Sequence, residues 1–143
     1  MNLMLRLACV AVVILAGCGT APVGFAVPLP NGLDGNWHVT LGGANAAYKA
    51  SCITITNGVV TAWEVGCSSP WRISDATAVD TSGSPMKIQF AVTGSYEGDW
   101  SSAHITMTVV QRQDGTLSGV MRSSGLTGSL PSSWEASALL IRQ

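Results

Sequence analysis

The chain has 143 residues, of which only 10% are charged, and its formal net charge is −1. An average globular domain carries about 25% charged residues, so solubility must depend on Ser, Thr, Asn and Gly. The basic residues form no cluster, which argues against nucleic acid as a partner. The length suits one domain with its own hydrophobic core.

The amino-terminal segment has the parts of an export signal. Arg6 forms a short positive region, and an apolar run over residues 7–15 follows it. This run is shorter than the roughly 20 apolar residues that a transmembrane helix needs. The stretch Leu15-Ala16-Gly17-Cys18 resembles the lipobox of bacterial lipoproteins. The alternative is an ordinary secretory signal cleaved after a small residue.

The lipoprotein resemblance implies a diacylglycerol thioether on Cys18, cleavage after Gly17 and acylation of the new amino terminus. Several acyl chains on one residue make a stable membrane anchor without a helix. Gly19 stands where the enteric sorting rule would need Asp for retention at the inner membrane. We therefore expect a lipid-anchored protein of the bacterial cell envelope, at the outer membrane and facing the periplasm or the cell surface.

The predicted domain organisation has three parts. Residues 1–17 form the lipoprotein signal peptide, and residues 33–143 form a β domain. Between them, residues 18–32 include Pro22, Pro28 and Pro30, which prevent a helix. Proline-rich segments are stiff and extended, so this segment is predicted to be a tether that holds the domain away from the membrane.

The rest of the chain is predicted to be all-β and antiparallel. Short runs rich in Val, Ile, Thr and Trp alternate with Gly, Pro, Asp and Ser clusters, and no long helical period is present. Short connections favour an eight-stranded meander that closes into a barrel, with a β-sandwich as the alternative. The predicted strands are residues 36–41, 50–56, 59–65, 71–79, 86–94, 103–112, 116–123 and 134–142.

Two turn signals predict strand register. A three-residue loop ending at Gly115 would pair Met107 with Met121 and Gln111 with Leu117. The same loop length at Thr56-Asn57-Gly58 would bring one set of apolar residues to a single face. That set is Ile53, Ile55, Val59, Trp63 and Val65.

The cysteines predict one disulfide. Cys9 leaves with the signal and Cys18 carries lipid, so Cys52 and Cys67 remain, and they should pair in an oxidising compartment. Closing a loop of about 15 residues is worth roughly 3 kcal/mol. Gly66 must bend the chain after Val65 to bring the two together.

We expect no metal and no cofactor. A metal site at the two cysteines would need further ligands, and the chain has only two histidines. Neither His38 nor His104 lies at a zinc-motif spacing from the cysteines.

Gly35-Asn36-Trp37 resembles the G-x-W signature of the calycins, which include the lipocalin and avidin barrels. In that family the tryptophan closes one end of the barrel. Val39 and Thr40 stand where polar ligand-binding residues would be needed, so no biotin site is implied.

A second resemblance adds Cys52-x-Ile-x-Ile and Trp63-x-x-x-Cys67 to the G-x-W residues. This pattern resembles the bacterial metalloprotease inhibitors, which are eight-stranded barrels with one disulfide. It implies a periplasmic protease inhibitor as an alternative function. Small β domains behind a lipobox are also common among lipoproteins of unknown role.

The sequence predicts binding rather than catalysis. It contains none of the metalloprotease, nucleophile-elbow or phosphate-loop motifs. His38 and His104 are predicted to face outward. Glu97 and Asp99 stand in a predicted loop that could bind calcium or sugar, but a plain polar turn is by far the commoner explanation.

Aromatic residues provide the candidate binding groups. Trp37, Trp63 and Trp134 lie in predicted strands and should pack in the core. Trp71, Tyr96 and Trp100 are the candidates for exposed ligand-binding positions.

We expect the function to lie at the rim, in residues 96–102 and 123–133, because binding residues concentrate in loops on rigid scaffolds. Besides the membrane itself, the partner would be an envelope protein, a small apolar ligand or a carbohydrate.

Overall fold

The computed structural model describes residues 32–43, 46, 48–96, 98–127 and 133–143. The predicted signal peptide, Cys18 and nearly all of the predicted tether therefore lie outside the described residues. The strands are β1 (Gly35–Gly42), β2 (Ala50–Thr56), β3 (Val59–Val65), β4 (Ser69–Ala76), β5 (Met86–Tyr96), β6 (Asp99–Gln111), β7 (Leu117–Thr127) and β8 (Ser133–Arg142).

The eight strands form a closed antiparallel barrel in which each strand pairs with its neighbours in sequence. β1 also pairs with β8, which closes the barrel. The predicted all-β meander barrel is confirmed, and the sandwich alternative is wrong. The described residues contain no helix that could cross a membrane.

Strand bounds differ from the prediction mainly at β4, β5, β6 and β7. β4 covers Ser69–Ala76 instead of residues 71–79, and β7 ends at Thr127 instead of residue 123. β5 ends at Tyr96 and β6 begins at Asp99, so the two strands form one long hairpin. The residues added to this hairpin show no apolar alternation; they are Ser95, Tyr96, Asp99, Trp100, Ser101 and Ser102.

Alternation along the strands places one set of side chains inside the barrel. β1 and β8 show the pattern most clearly, because every second residue is buried. Several interior residues, including Trp37, Met107 and Leu140, have no exposed surface. Their side chains therefore border no void large enough for a water molecule. The largest fully buried side chains are Trp37, Trp63, Ile53, Ile55, Ile88, Ile105, Met107, Leu117, Met121, Leu140, Val39 and Val60.

The β6–β7 turn confirms the predicted three-residue loop. Met107 pairs with Met121 and Gln111 pairs with Leu117. Gly115 adopts a φ of 81°, which glycine tolerates without a Cβ clash. The Asp114 carboxylate accepts hydrogen bonds from the backbone N–H and hydroxyl of Thr116, at 3.0 and 2.6 Å. These bonds lower the pKa of Asp114.

The predicted three-residue loop between β2 and β3 is wrong. Asn57 and Gly58 both have positive φ, at 52° and 70°, and Thr56 pairs with Val59. This geometry is a two-residue hairpin turn of the type that Asn-Gly favours. This turn places Val60 rather than Val59 opposite Ile55 and in the core, and a register shift between Thr54 and Ile55 then brings Trp63 opposite Ile53, so that Trp63 also faces inward.

One end of the barrel, which we call the Trp37 end, is closed by the segment that precedes β1. The indole N–H of Trp37 donates to the Leu33 carbonyl at 2.9 Å. The Asp34 carboxylate accepts the backbone N–H groups of Asn57 and Gly58, at 2.9 and 2.8 Å. From β8, the Arg142 guanidinium lies 4.8 Å from the centre of the Trp37 ring. These contacts join the start of the domain to the β2–β3 turn and to the last strand.

Candidate functional site

The opposite end of the barrel, which we call the Tyr48 end, is lined by aromatic rings. Tyr48 contacts the rings of Trp63 and Trp134 edge-on, with centroids 6.2 and 5.3 Å apart. Phe90 also belongs to the cluster, because its ring centre lies 5.2 Å from that of Trp63. Tyr48 lies in the connection between β1 and β2, so a segment outside the strands covers this end.

Trp71 belongs to the same cluster, and its predicted exposure is wrong. Its side chain is buried, because β4 directs it into the barrel opposite Gly94 of β5. A Cβ placed on Gly94 would lie 2.4 Å from the Trp71 ring, so only glycine admits the indole there. The expected packing of Trp37, Trp63 and Trp134 in the core is confirmed.

Polar atoms buried near the Tyr48 end have no hydrogen-bond partner among the described residues. They are the indole nitrogens of Trp63, Trp71 and Trp134 and the hydroxyls of Ser51 and Ser101. A buried donor without a partner costs about 1–3 kcal/mol, and such groups are uncommon in native proteins. Their concentration in one half of the barrel marks this end as the candidate binding site.

The chemistry of these groups restricts what they can bind. An indole N–H only donates, whereas a serine hydroxyl both donates and accepts. The buried polar residues of the described chain are all serines, so the site offers no buried charge. The site therefore suits an uncharged group rich in hydrogen-bond acceptors and flanked by aromatic faces.

The β5–β6 hairpin carries the most exposed aromatic residue at this end. Trp100 is 73% exposed, as predicted. The predicted rim loop over residues 96–102 is wrong, because Tyr96 pairs with Asp99 and the following residues belong to β6. The side chains of Tyr96 and Asp99, and Glu97 as a whole, lie outside the described residues.

The second predicted rim loop, residues 123–133, is only partly a loop. Residues 123–127 belong to β7, and the Ser123 side chain is buried in the interior. Residues 128–132 lie outside the described part of the chain, so a binding role for this part of the segment stays a prediction.

His104 lies on the outer surface in a cleft of about 140 Å³ that Asp75 and Ala91 also line. A β-bulge between Ile73 and Asp75 opens this cleft beside Ala91.

The disulfide between Cys52 and Cys67 is confirmed, with Cα atoms 4.8 Å apart. Gly66 and Cys67 have positive φ values of 63° and 58°, so the chain bends after Val65 as expected. The same bend brings the disulfide against His38, which faces Cys52 across β1 and β2. The positions of these residues in the sequence could not reveal that His38 lies beside the disulfide, because the pairing of β1 with β2 brings them together.

No protein-family model, no curated protein and no solved structure matches this chain. The resemblances to calycins and to the metalloprotease inhibitors therefore stay predictions. Of the calycin features, the structure shows the barrel and the position of Trp37 at one end.

Proposed function

We propose that this protein is a lipid-anchored envelope protein without catalytic activity, whose barrel binds a small, uncharged, acceptor-rich molecule at the Tyr48 end. The lipobox Leu15-Ala16-Gly17-Cys18 supports the anchor, and Gly19 in place of Asp supports the outer-membrane location. The observation that carries the binding proposal is the group of unpartnered N–H and O–H groups near that end.

The position of the chain's entrance into the barrel supports this arrangement. Leu33 and Asp34 contact the Trp37 end immediately before β1. A tether that runs from a lipid on Cys18 would therefore reach the barrel at that end. The Tyr48 end is on the opposite side and would face away from the membrane, where a ligand has access.

The packed interior argues against a purely apolar ligand held deep in the barrel. Ile88, Met107 and Leu140 have no exposed surface, so the middle of the barrel is already filled. A ligand would instead replace Tyr48 above the indole nitrogens, where N–H groups need acceptors. Neutral compounds that carry amide or hydroxyl groups on a ring with an apolar face, such as amide-bearing sugars, meet this requirement.

Trp100 supports a second candidate function, which is the binding of an envelope protein. Its indole projects from the β5–β6 hairpin at the same end and is the most exposed large hydrophobic residue described. Aromatic residues are enriched at protein interfaces because they bury a large area with few rotatable bonds.

Mass spectrometry of the protein from its native membrane tests the anchor. We expect a mature chain that begins at a triacylated Cys18, and Cys18→Ser should accumulate as the unprocessed precursor. An unmodified amino terminus at another residue would contradict the anchor.

Thermal unfolding tests the ligand class. We expect N-acetylglucosamine oligomers to raise the melting temperature and change tryptophan fluorescence, and decanoate to do neither. Trp134→Phe removes one buried N–H and should reduce the rise in melting temperature. Trp100→Phe, the matched control, should leave that rise unchanged. An equal response to decanoate, or no response to either probe, would contradict the proposed ligand class.

Photo-crosslinking in the native envelope tests the protein-partner alternative. A photoreactive residue at Trp100 should then give an adduct of defined mass, and one at Val110, on the same strand and also exposed, should not. Identical adducts at both positions would exclude a partner specific to this end.

A further inference from the structure

Three potential metal ligands meet on the outer surface of the barrel and do not belong to the aromatic cluster inside the Tyr48 end. His38 and Cys52 face each other on β1 and β2, and Cys67 lies in the turn between β3 and β4. An imidazole nitrogen and both sulfurs lie within 4.8 Å of one another, and all three residues are half-buried. In tetrahedral zinc sites the metal–sulfur and metal–nitrogen bonds are about 2.3 and 2.0–2.1 Å, so ligand atoms at this spacing can share one ion.

We propose that the reduced form of this protein binds one zinc-class divalent cation through Cys52, Cys67 and His38. The disulfide blocks this site, because a cysteine binds a metal only as the free thiolate. A dithiol reductant opens the site by thiol–disulfide exchange, in which the reductant is oxidised to its own disulfide and both cysteines become thiols. The cation then replaces the two thiol protons, which are released to solvent.

Backbone hydrogen bonds hold the ligands together without the sulfur–sulfur bond. The Gly66 N–H donates to the Ala50 carbonyl at 2.9 Å, which attaches the turn to β2. The Cys67 and Ser68 N–H groups donate to Glu64 and Val65 at 3.4 and 3.3 Å. The strand pairing of His38 with Cys52 likewise does not depend on the disulfide. Reduction therefore frees two thiols that stay beside an imidazole.

The surroundings also suit a cation. A cleft of about 390 Å³ adjoins the two cysteines and is lined by Asn36, Glu64 and Gln143 as well. It gives the ion a path from solvent and leaves room for a water molecule as the fourth ligand. The Glu64 carboxylate adds negative charge on the strand next to Cys52. The His38 ring forms a weak hydrogen bond of 3.5 Å with the Thr40 hydroxyl. This bond does not prevent the ring from turning towards the sulfurs.

Titration of the reduced full chain with Co²⁺ tests the site. Cys9→Ser and Cys18→Ser should be present throughout, so that only the two barrel cysteines can react. After anaerobic reduction we expect one Co²⁺ per chain, with the thiolate charge-transfer absorption of a tetrahedral site and complete displacement by Zn²⁺. The oxidised protein should bind none.

Variants separate this site from adventitious binding. His38→Ala and His38→Gln should each weaken Co²⁺ affinity by about tenfold or more, since even outer-sphere changes cost 10–100-fold in established sites. His104→Ala, an exposed histidine elsewhere on the surface, should leave affinity unchanged. The proposal is overturned if His38→Gln binds as tightly as the parent, if Cys52→Ser with Cys67→Ser does so, or if circular dichroism shows that the reduced protein is unfolded.

Discussion

The two ends of the barrel use tryptophan in different ways. At the Trp37 end, the indole N–H has a carbonyl partner at 2.9 Å and the ring has a guanidinium above it. At the Tyr48 end, Trp63 and Trp134 are also buried, but their N–H groups have no partner among the described residues. Tryptophan is therefore buried at both ends, and hydrogen bonding distinguishes them.

This difference has opposite consequences for stability at the two ends. The indole N–H at the Trp37 end has its acceptor within the chain, so this contact contributes to folding. The Tyr48 end leaves donors whose desolvation is not offset, which lowers stability, and under the proposed function a ligand would supply the missing acceptors. Functional sites commonly carry such a local cost.

The largest expected effect is the loss of the Trp37 ring. Trp37→Ala should lower the free energy of unfolding by about 3–5 kcal/mol, because it leaves a cavity and removes the support of Leu33 and Arg142. Urea denaturation followed by circular dichroism measures it. A loss below about 1 kcal/mol would show that this end does not hold the barrel closed.

A methyl group at Gly94 should disturb the Tyr48 end specifically. Gly94→Ala places a Cβ where the Trp71 ring lies, so the free energy of unfolding should fall by about 1–3 kcal/mol. The fluorescence spectrum should change because Trp71 is displaced. Gly43→Ala is the control, because a Cβ on Gly43 would meet open space. The φ of 109° at Gly43 adds backbone strain to this variant, but no displaced ring.

Matched Trp→Phe changes compare the two ends directly. Both changes remove similar volume, but only Trp37→Phe breaks a hydrogen bond and leaves the Leu33 carbonyl without its donor. Trp37→Phe should therefore cost about 1–3 kcal/mol more than Trp134→Phe in the absence of ligand. Equal costs would mean that the Trp134 N–H has a partner in solution.

Trp100→Ala should leave stability almost unchanged. The side chain is largely exposed, and surface changes of this kind usually fall within about 0.5 kcal/mol. A thermal melt checks it. A cooperative loss of folding would show that Trp100 packs against the rest of the Tyr48 end and is not an exposed contact residue.

The smallest effect concerns pH at the β6–β7 turn, which lies at the Trp37 end. Hydrogen bonds from Thr116 lower the pKa of Asp114 in the folded state. Its contribution is therefore present above the unfolded pKa and is lost as the pH falls through the lower, folded value. Asp114→Asn should remove this part of the acid dependence, which paired melts at neutral and acidic pH measure. An unchanged acid dependence would contradict it.

Much of the fold was predictable because β alternation is a local property. All eight strands could be located to within four residues from apolar alternation and turn residues, and the β6–β7 register followed from Asp114-Gly115. The β2–β3 register could not, because Asn57-Gly58 forms a two-residue turn and a bulge beyond Ile55 lets both Val60 and Trp63 face inward. A bulge depends on packing between neighbouring strands and has no signal in a single strand.

The candidate site was harder to predict from the sequence than the fold was. Trp71 follows a proline and was expected to be exposed, yet a glycine 23 residues later on the neighbouring strand admits its ring to the core. Trp100 was correctly predicted to be exposed. The difference between the two lies in their cross-strand partners, which only the register identifies.

By itself, the sequence determined the β class, the number of strands and the cysteine pair, since alternation, turn chemistry and residue count are properties of the chain alone. The tertiary structure decided which donors stay without partners at the Tyr48 end and that His38 lies beside Cys52 and Cys67. The physical reason is that closure of the barrel brings together residues far apart in sequence, and their mutual distances depend on register and twist.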